Sequence, residues 1–345
     1  MDKLIKKEKI MNKLTKIGVT ALCGSLASVA AANAGSLDVT GGATATYVSL
    51  EGEVTGNPLG MASAMTFTGN GELDNGSTFK LTIAHTNKAA YTGSAISITT
   101  PTLGTFTYDE GGGTGLDRID DMMPTAWEEV DGTGLAMGLV TVAGAGGNSD
   151  IEWNVGMGLP EGMNAYLSFA PHPDGTKNTN KSVSGSTNSG HVDGYGWDVV
   201  LTHSGLTDGL NVFAGYSEIN QVASVGDRIQ KTLGATYAIG GATLGYQWSH
   251  DDNATTGTTT DYYENNAYGV SFAINDDLSV SYNVQDSDKV KAGSGGTVNM
   301  EGTSLQLAYT VGGASIKFAE TDVDNKKYAS GTNREGRTIA LTLAF

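Results

Sequence analysis

The chain has 345 residues, of which 37 are acidic and 20 are basic, so its formal net charge at pH 7 is −17. Such a surface repels nucleic acid and attracts cations, which excludes nucleic acid as a partner class. The single cysteine excludes a disulfide framework and thiolate metal sites. Charged residues make up only 17% of the chain, which argues against simple disorder.

Residues 1–34 have the composition of a secretory signal peptide. Six lysines lie within residues 1–16, an apolar run of small residues covers 17–32, and the letters ANA before Gly35 have the form of a cleavage site. Met11 is an equally good start for this segment. We expect residues 1–34 to be removed and residues 35–345 to form the exported domain. Cys23 lies within the segment that we expect to be removed. The remaining 14 basic and 35 acidic residues give residues 35–345 a net charge of −21.

From Ser36 onward, apolar side chains alternate with Ser, Thr, Gly, Asn and Gln in segments of about ten residues. A period of two predicts β-strands with one apolar face each. The clearest segments are 37–47, 79–83, 195–201, 244–248, 268–274, 278–284, 305–311 and 336–345. No stretch after Ala34 approaches the roughly 18 to 20 apolar residues of a membrane helix. Alternation alone does not say whether the apolar face points inward or toward lipid.

The connections between the predicted strands alternate between short and long. The short ones are 74–77, 100–104, 159–162, 205–209, 239–241, 275–277 and 311–313. The long, polar ones are 51–60, 87–93, 171–191, 220–227, 251–263, 287–298 and 323–333. Short turns on one side and long loops on the other are typical of an outer-membrane barrel.

Strand parity decides the count. Alternation alone gives 17 strands, including 136–143, and an odd number would place the two ends on opposite sides. Only two strands fit between the short turns at 100–104 and 159–162, so residues 109–149 become one long loop and 16 strands remain. The last strand then pairs with the first, which leaves no unpaired strand edge in hydrocarbon. The sequence therefore predicts an all-β, 16-stranded antiparallel transmembrane β-barrel.

These features together resemble the general, non-specific porins of Gram-negative outer membranes, most closely the trimeric alphaproteobacterial type. The resemblance covers the signal ending in ANA, the first strand SLDVTGGATATYV, the long acidic loop after the fifth strand and the terminal LTLAF. It implies a long third loop folded into the pore, a homotrimer, and recognition of Phe345 by the barrel assembly machinery. It also implies an outer-membrane location, with membrane lipid and lipopolysaccharide as surroundings.

The loop at 109–149 is strongly acidic. Inside the pore its charged residues would form the constriction and favour cations, as rings of carboxylates do: they are Asp109, Glu110, Asp117, Arg118, Asp120, Asp121, Glu128, Glu129 and Asp131. The alternative is a solvated external loop. Four basic residues fall on the polar parity of the strands and are predicted on the lumen wall: Lys80, Arg228, Lys317 and Arg334. The family often has an arginine cluster there, whereas these four are scattered.

Two further patterns in this loop suggest ligands only weakly. The stretch GGTGLDRID matches one copy of a calcium-binding nonapeptide that works in tandem, so a structural Ca²⁺ at Asp117, Asp120 and Asp121 is an open alternative. The stretch DEGGGTG lacks the Lys and Ser/Thr of a phosphate-binding loop. No other cofactor is expected. The five histidines show no metal spacing and no nucleophile elbow stands out, so catalysis is not predicted.

The predicted function is a passive diffusion channel for small hydrophilic solutes and ions across the outer membrane, with a preference for cations. Two alternatives remain open at this point. One is a surface adhesin or binding barrel with a blocked lumen, and the other is a substrate-specific channel.

Overall fold

The computed structural model describes residues 34–51, 56–87, 92–110, 112–173, 192–221, 226–252, 260–293 and 295–344. The predicted signal peptide and Phe345 lie outside these residues, apart from Ala34. Within the described part of the chain there is no helix long and apolar enough to cross a bilayer.

Sixteen strands follow one another along the chain. In order, β1 to β16 are Ala34–Glu51, Leu59–Glu72, Thr78–Thr86, Gly93–Thr100, Gly104–Asp109, Asp150–Val155, Met163–Ala170, Val192–Ser204, Leu210–Gln221, Arg228–Ile239, Ala242–Asp251, Thr260–Ala273, Leu278–Lys291, Thr297–Val311, Ala314–Asp324 and Arg334–Ala344. Three short 3₁₀ turns occupy Gly115–Ile119, Ala145–Gly147 and Lys326–Tyr328.

The strands form one closed antiparallel barrel in which each strand pairs with its neighbours in sequence. The barrel closes between β1 and β16, where Thr44 lies opposite Thr342 and Ala45 opposite Leu341. This confirms the predicted 16-stranded barrel. Residues 136–143 form no strand, as the parity argument required. Closure satisfies every edge, which hydrocarbon demands of a spanning sheet.

The apolar face of the strands points outward. Large apolar side chains on this face are strongly exposed, such as Leu244, Tyr268 and Leu343, the last at 54%. Their neighbours in sequence point into the barrel. Aromatic rings on the outer face pack near the short turns, where Phe106 stacks on Trp153 at a centroid distance of 5.8 Å. Exposed apolar surface on this scale, with polar residues enclosed, is the pattern of a membrane barrel.

All seven predicted short turns join consecutive strands on one side of the barrel, which confirms the predicted sidedness. Two predicted loops were too long. The loop placed at 287–298 is shorter because β13 continues to Lys291 and β14 begins at Thr297, and β12 begins at Thr260, inside the loop placed at 251–263. Charged residues, tyrosines and valines follow one another at these strand ends without a regular alternation, so the backbone ladder continues where the apolar alternation has already stopped.

Candidate pore constriction

The connection between β5 and β6, which the structure describes at residues 110 and 112–149, lies inside the barrel, and we call it the constriction loop.

One buried carboxylate on β8 holds both ends of the constriction loop. Asp198 is 1% exposed. Its oxygens accept hydrogen bonds from the backbone N–H groups of Leu116, Ala145 and Gly146, each at 2.9 Å. Leu116 is near the start of the loop, and the other two are near its end. Asp198 therefore joins the two stems to each other and to the wall through charge-assisted hydrogen bonds.

A second wall carboxylate holds the first stem. Glu152 on β6 accepts the N–H of Gly115 at 2.8 Å and forms an ion pair with Arg118. The guanidinium of Arg118 also lies over the ring of Tyr166, 4.2 Å from its centroid. Arg118 is thus bound against the wall, so its charge is offset by Glu152 before it can offset the acids of the loop.

Two wall glutamines hold the middle of the loop. Gln247 on β11 donates to two carbonyl oxygens of the segment 119–122 and accepts one of its N–H groups, at 2.8 to 2.9 Å. Gln306 on β14 accepts the two N–H groups of the segment 127–128 and donates to a carbonyl oxygen there. An irregular loop cannot pair its own backbone groups, and these amides supply both donors and acceptors.

The second half of the loop follows the wall as far as β16. The hydroxyl of Thr133 lies 2.6 Å from that of Thr321 on β15. The carbonyl oxygen of Thr133 accepts a hydrogen bond from the hydroxyl of Thr338 on β16. Asn265 on β12 donates to the carbonyl oxygen of Val140 at 2.9 Å. Together with the stems, these bonds hold the loop against the wall from β6 to β16.

The connection between β15 and β16, on the long-loop side of the barrel, also contacts the constriction loop. Tyr328 in this connection accepts the N–H of Val140 at 3.3 Å, and its hydroxyl lies 2.7 Å from that of Ser287 on β13. The N–H of Lys327 donates to the carbonyl oxygen of Met137 at 2.8 Å. The long predicted loop at 323–333 is therefore partly folded onto the constriction loop.

Apolar side chains also pack between the constriction loop and the wall. They form two buried clusters between loop and wall. One contains Leu116, Ile119 and Val142 with Val200 and Phe213, and the other contains Val130, Leu135 and Met137 with Met300 and Val323. Inside a membrane barrel such clusters can form only where water is excluded, and here the loop excludes it.

The wall of β4 and β5 is built differently. Its lumen-facing hydroxyls pair with one another across neighbouring strands: Ser97 with Thr107 at 2.9 Å and Thr99 with Thr105 at 2.9 Å. Their hydrogen-bonding groups are satisfied without the loop. The passage left by the loop therefore has this hydroxyl-lined wall on one side and the loop on the other.

The acids in the middle of the loop are close enough to perturb one another. Burial, followed by the charge of Asp117, raises the pKa of Asp120 to about 6. Burial and the charges of Asp121 and Asp120 raise the pKa of Glu129 to about 7. Burial also raises the pKa of Asp121. Like charges in a confined space disfavour the ionised form, so these shifts indicate a concentrated negative field.

The remaining predicted constriction residues divide into two groups. Asp131 belongs to the acidic group, because its charge contributes to the raised pKa of Glu129. Asp109 ends β5 and lies opposite Asp150, and Glu110 accepts a hydrogen bond from Ser94 at 2.8 Å. These two acids lie at the first stem with Arg118. The acidic group proper is therefore Asp117, Asp120, Asp121, Glu128, Glu129 and Asp131, and we call it the loop acid cluster.

One predicted wall cation faces this cluster. The ammonium of Lys317 on β15 lies 5.9 Å from the ring centroid of Trp127. Burial raises the pKa of Glu128, and the positive charge of Lys317 opposes that rise. Lys317 is thus the predicted cation whose field reaches the loop acids.

The other three predicted cations lie elsewhere on the lumen side. Arg228, at the start of β10, forms a two-pronged ion pair with Asp251. Arg334, at the start of β16, donates to the carbonyl oxygen of Asn333 at 2.7 Å. Lys80 lies on β3, opposite Ser97, between two outward-facing apolar residues. The structure therefore gives no arginine cluster across from the loop among these four residues.

The three acids of the calcium alternative each accept a backbone N–H of the loop. Asp117 accepts the N–H of Gly113 at 2.6 Å, Asp120 that of Asp121, and Asp121 that of Met123, both at 2.8 Å. Each carboxylate thus caps its own local turn. Within the described ranges, no three His, Cys, Asp or Glu side chains group in a way that could hold a metal ion.

Sequence reasoning missed the wall half of the site. Asp198, Glu152, Gln247 and Gln306 are all buried under the loop. Each occupies a polar-parity position in a predicted strand, where a water-filled lumen would accept any hydrophilic residue. The available signal was the presence of acids and long amides at polar-parity positions on the strands that follow the long loop. Alternation does not distinguish a wall facing water from one facing a loop.

The fold and this internal loop define a class: a 16-stranded transmembrane barrel narrowed from within. The sequence matches the Gram-negative porin family over residues 18–342, so the chain belongs to that family. It is accordingly an outer-membrane diffusion channel. A search of curated proteins found no match.

Solved structures show the same fold at low identity. OmpF of Salmonella typhi, in complex with daunomycin, is 14% identical with a TM-score of 0.66, over 90% of this chain and 97% of that one. OmpT of Vibrio cholerae is 12% identical with a TM-score of 0.61, over 90% and 97%. A mutant of the Rhodobacter blastica porin is 16% identical with a TM-score of 0.58, over 90% and 100%.

Proposed function

We propose that this porin passes small hydrophilic solutes and ions passively and prefers cations. The observation that carries the proposal is the loop acid cluster, which meets only one of the four predicted wall cations, Lys317. Glu128 and Glu129 are residues that keep more than a third of their surface exposed, so part of each side chain reaches the passage. Their field lowers the energy of a cation in the passage and raises that of an anion.

The opposite wall supports a general rather than a fitted passage. Hydroxyl pairs on β4 and β5 offer weak, evenly distributed polarity, and Lys80 on the neighbouring β3 adds one charge. Recognition of one solute would need a few polar groups converging on an apolar pocket. Size, polarity and the sign of charge would therefore decide what diffuses through.

The test is the reversal potential of single channels in a planar bilayer under a salt gradient. The combined substitution Asp120→Asn, Asp121→Asn and Glu129→Gln is expected to lower the cation-to-anion permeability ratio about fivefold or more, since each lost charge changes the ion's energy by about 1 kcal/mol at short range in water. The conductance steps themselves should persist.

A matched control removes three charges far from the loop. Asp74, Glu161 and Asp208 lie in three of the short turns, and their amide variants should leave the permeability ratio close to that of the native protein. An unchanged ratio in the loop variant would remove cation preference from the proposal. Absence of conductance steps in the native protein would remove the channel itself.

The proposal has three further parts. Removal of residues 1–34 rests on their signal-peptide composition. Recognition of Phe345 by the assembly machinery and a homotrimer surrounded by lipid and lipopolysaccharide rest on the family resemblance. Light scattering of the detergent-solubilised protein tests the trimer. A mass of one barrel per particle would contradict it.

A further inference from the structure

A row of glycines lies on the lumen face of the wall beneath the constriction loop. A Cβ built on each would come within 3.0 Å of a loop side chain: Gly196 (Ala145), Gly215 (Leu116), Gly245 (Pro124), Gly269 (Pro124), Gly302 (Met137) and Gly336 (Leu135). None of the six has a positive φ. Their backbone conformation would accept other residues, so the close approach of the loop is what requires glycine.

Two of these glycines form a notch. Gly245 on β11 and Gly269 on β12 lie directly opposite each other in the strand register. The ring of Pro124 sits over both. A Cβ at Gly245 would meet Pro124 Cδ first, at 2.4 Å, whereas a Cβ at Gly269 would meet Asn283 Nδ2 at 2.7 Å and Pro124 Cδ at 2.9 Å. The carbonyl oxygen of Pro124 accepts a hydrogen bond from Asn283 on β13 at 3.0 Å. The notch and this bond fix the depth at which Pro124 rests against the wall.

The segment beside the notch reaches the passage. Met122 is 38% exposed, and Gln247 binds its N–H two residues along the strand from Gly245. The wall cannot yield, because β11 is paired along its length with β10 and β12. Any atom added in the notch must therefore push Pro124 and its neighbours away from the wall.

We propose that the Gly245–Gly269 notch is a positioning element that sets how far residues 122–124 project into the lumen, and thereby the width of the passage. The inference rests on the proposed channel function and deepens it. It assigns pore width to wall residues that touch no solute.

The experiment compares single-channel conductance of the native protein with that of Gly245→Ala and Gly245→Val. We expect conductance to fall in that order, roughly to half for valine, because close-packed groups transmit the added volume instead of absorbing it. The reversal potential should change little, since the acids stay in place. The control is Gly69→Ala on the outer face of β2, where a Cβ would meet nothing within 4 Å.

A second substitution separates positioning from damage. Pro124→Ala removes Cδ, the atom that the new Cβ would meet, so it should restore most of the conductance of Gly245→Ala. If Gly245→Val does not assemble, Gly245→Ala decides instead. Unchanged conductance, or a fall that Pro124→Ala does not reverse, overturns the inference in a protein that still conducts. A native protein without conductance overturns the proposed function.

Discussion

The two sides of the lumen are built from different residues because they face different partners. The wall of β6 to β16 faces a polypeptide, and it carries buried carboxylates, long amides and glycines that fit individual backbone groups and side chains. The wall of β4 and β5 faces the passage, and it carries hydroxyls that satisfy one another. Both walls are polar by sequence. The difference lies in whether a polar group has a fixed partner or exchangeable water.

The largest expected effect comes from breaking the carboxylate that holds both loop stems. Asp198→Ala leaves three buried N–H groups without an acceptor, which we expect to cost about 3 kcal/mol or more. The stems should separate from β8, giving noisier open-channel current and a constriction loop that proteases can cleave. Limited proteolysis in detergent checks this directly.

Asp198→Asn is the graded control. One carboxamide oxygen still accepts, so both effects should be smaller than with alanine. A loop as resistant to protease in Asp198→Ala as in the native protein would show that the hydrogen bonds to Asp198 are not needed to hold the loop stems.

The second effect is a pH dependence confined to the loop side. The pKa of Glu129 is raised to about 7 and that of Asp120 to about 6, by burial first and neighbouring acids second. As pH falls through 7 and then 6, both groups become neutral, so cation preference should fall well above the pH at which ordinary carboxylates titrate. Reversal potentials from pH 8 to pH 5 measure it, and a ratio constant over that range would contradict the shifts.

The same shifts have an opposite consequence for stability. The folded protein binds these protons more tightly than the unfolded chain, whose ordinary values are 3.8 for Asp and 4.5 for Glu. Between about pH 4 and pH 7 the two groups therefore favour folding more as the pH falls. Glu129→Gln should remove the upper part of both the stability and the selectivity change, leaving the part near pH 6.

A smaller effect is expected where the connection between β15 and β16 contacts the constriction loop. Tyr328→Phe removes the hydroxyl that lies against Val140 and Ser287, and a net hydrogen bond is worth about 1 kcal/mol. Hydrogen exchange at the Val140 amide should become several-fold faster, while the stem amide of Leu116 should be unaffected. Equal acceleration at both amides would indicate general loosening instead of a local contact.

The fold could be predicted from sequence because a membrane barrel imposes simple rules. Alternation located the strands, turn length gave the sidedness, and parity turned the segment 136–143 from a candidate strand into part of the loop. The strand ends at Thr260 and Lys291 could not be located, since charged residues, tyrosines and a valine follow one another there without an alternating pattern. Backbone pairing does not depend on hydrophobicity once the strand leaves the membrane.

The site was half predictable for the same reason. The loop acids stand out as a cluster in sequence, whereas the residues that hold the loop are spread from Glu152 to Thr338 and meet only in space. Arg118 illustrates the limit: by sequence it is the one basic residue among the loop acids, and in the structure Glu152 and Tyr166 bind it. The glycines beneath the loop can be identified in the sequence, but the need for glycine depends on which loop side chains pack against them in the folded protein.

The smallest expected effect tests the comparison with the same chemical change on both walls. Thr107→Val on the open wall removes a hydroxyl paired with Ser97. Water in the passage can replace it, so the change in unfolding free energy should stay within about 0.5 kcal/mol and conductance should be unaltered. Thr321→Val on the covered wall removes a buried hydroxyl 2.6 Å from that of Thr133, and water cannot enter. That variant should lose about 1 to 3 kcal/mol, measured by urea unfolding in detergent. Equal costs at the two positions would mean that the open wall is as dry as the covered one, and the passage would then have to lie elsewhere in the barrel.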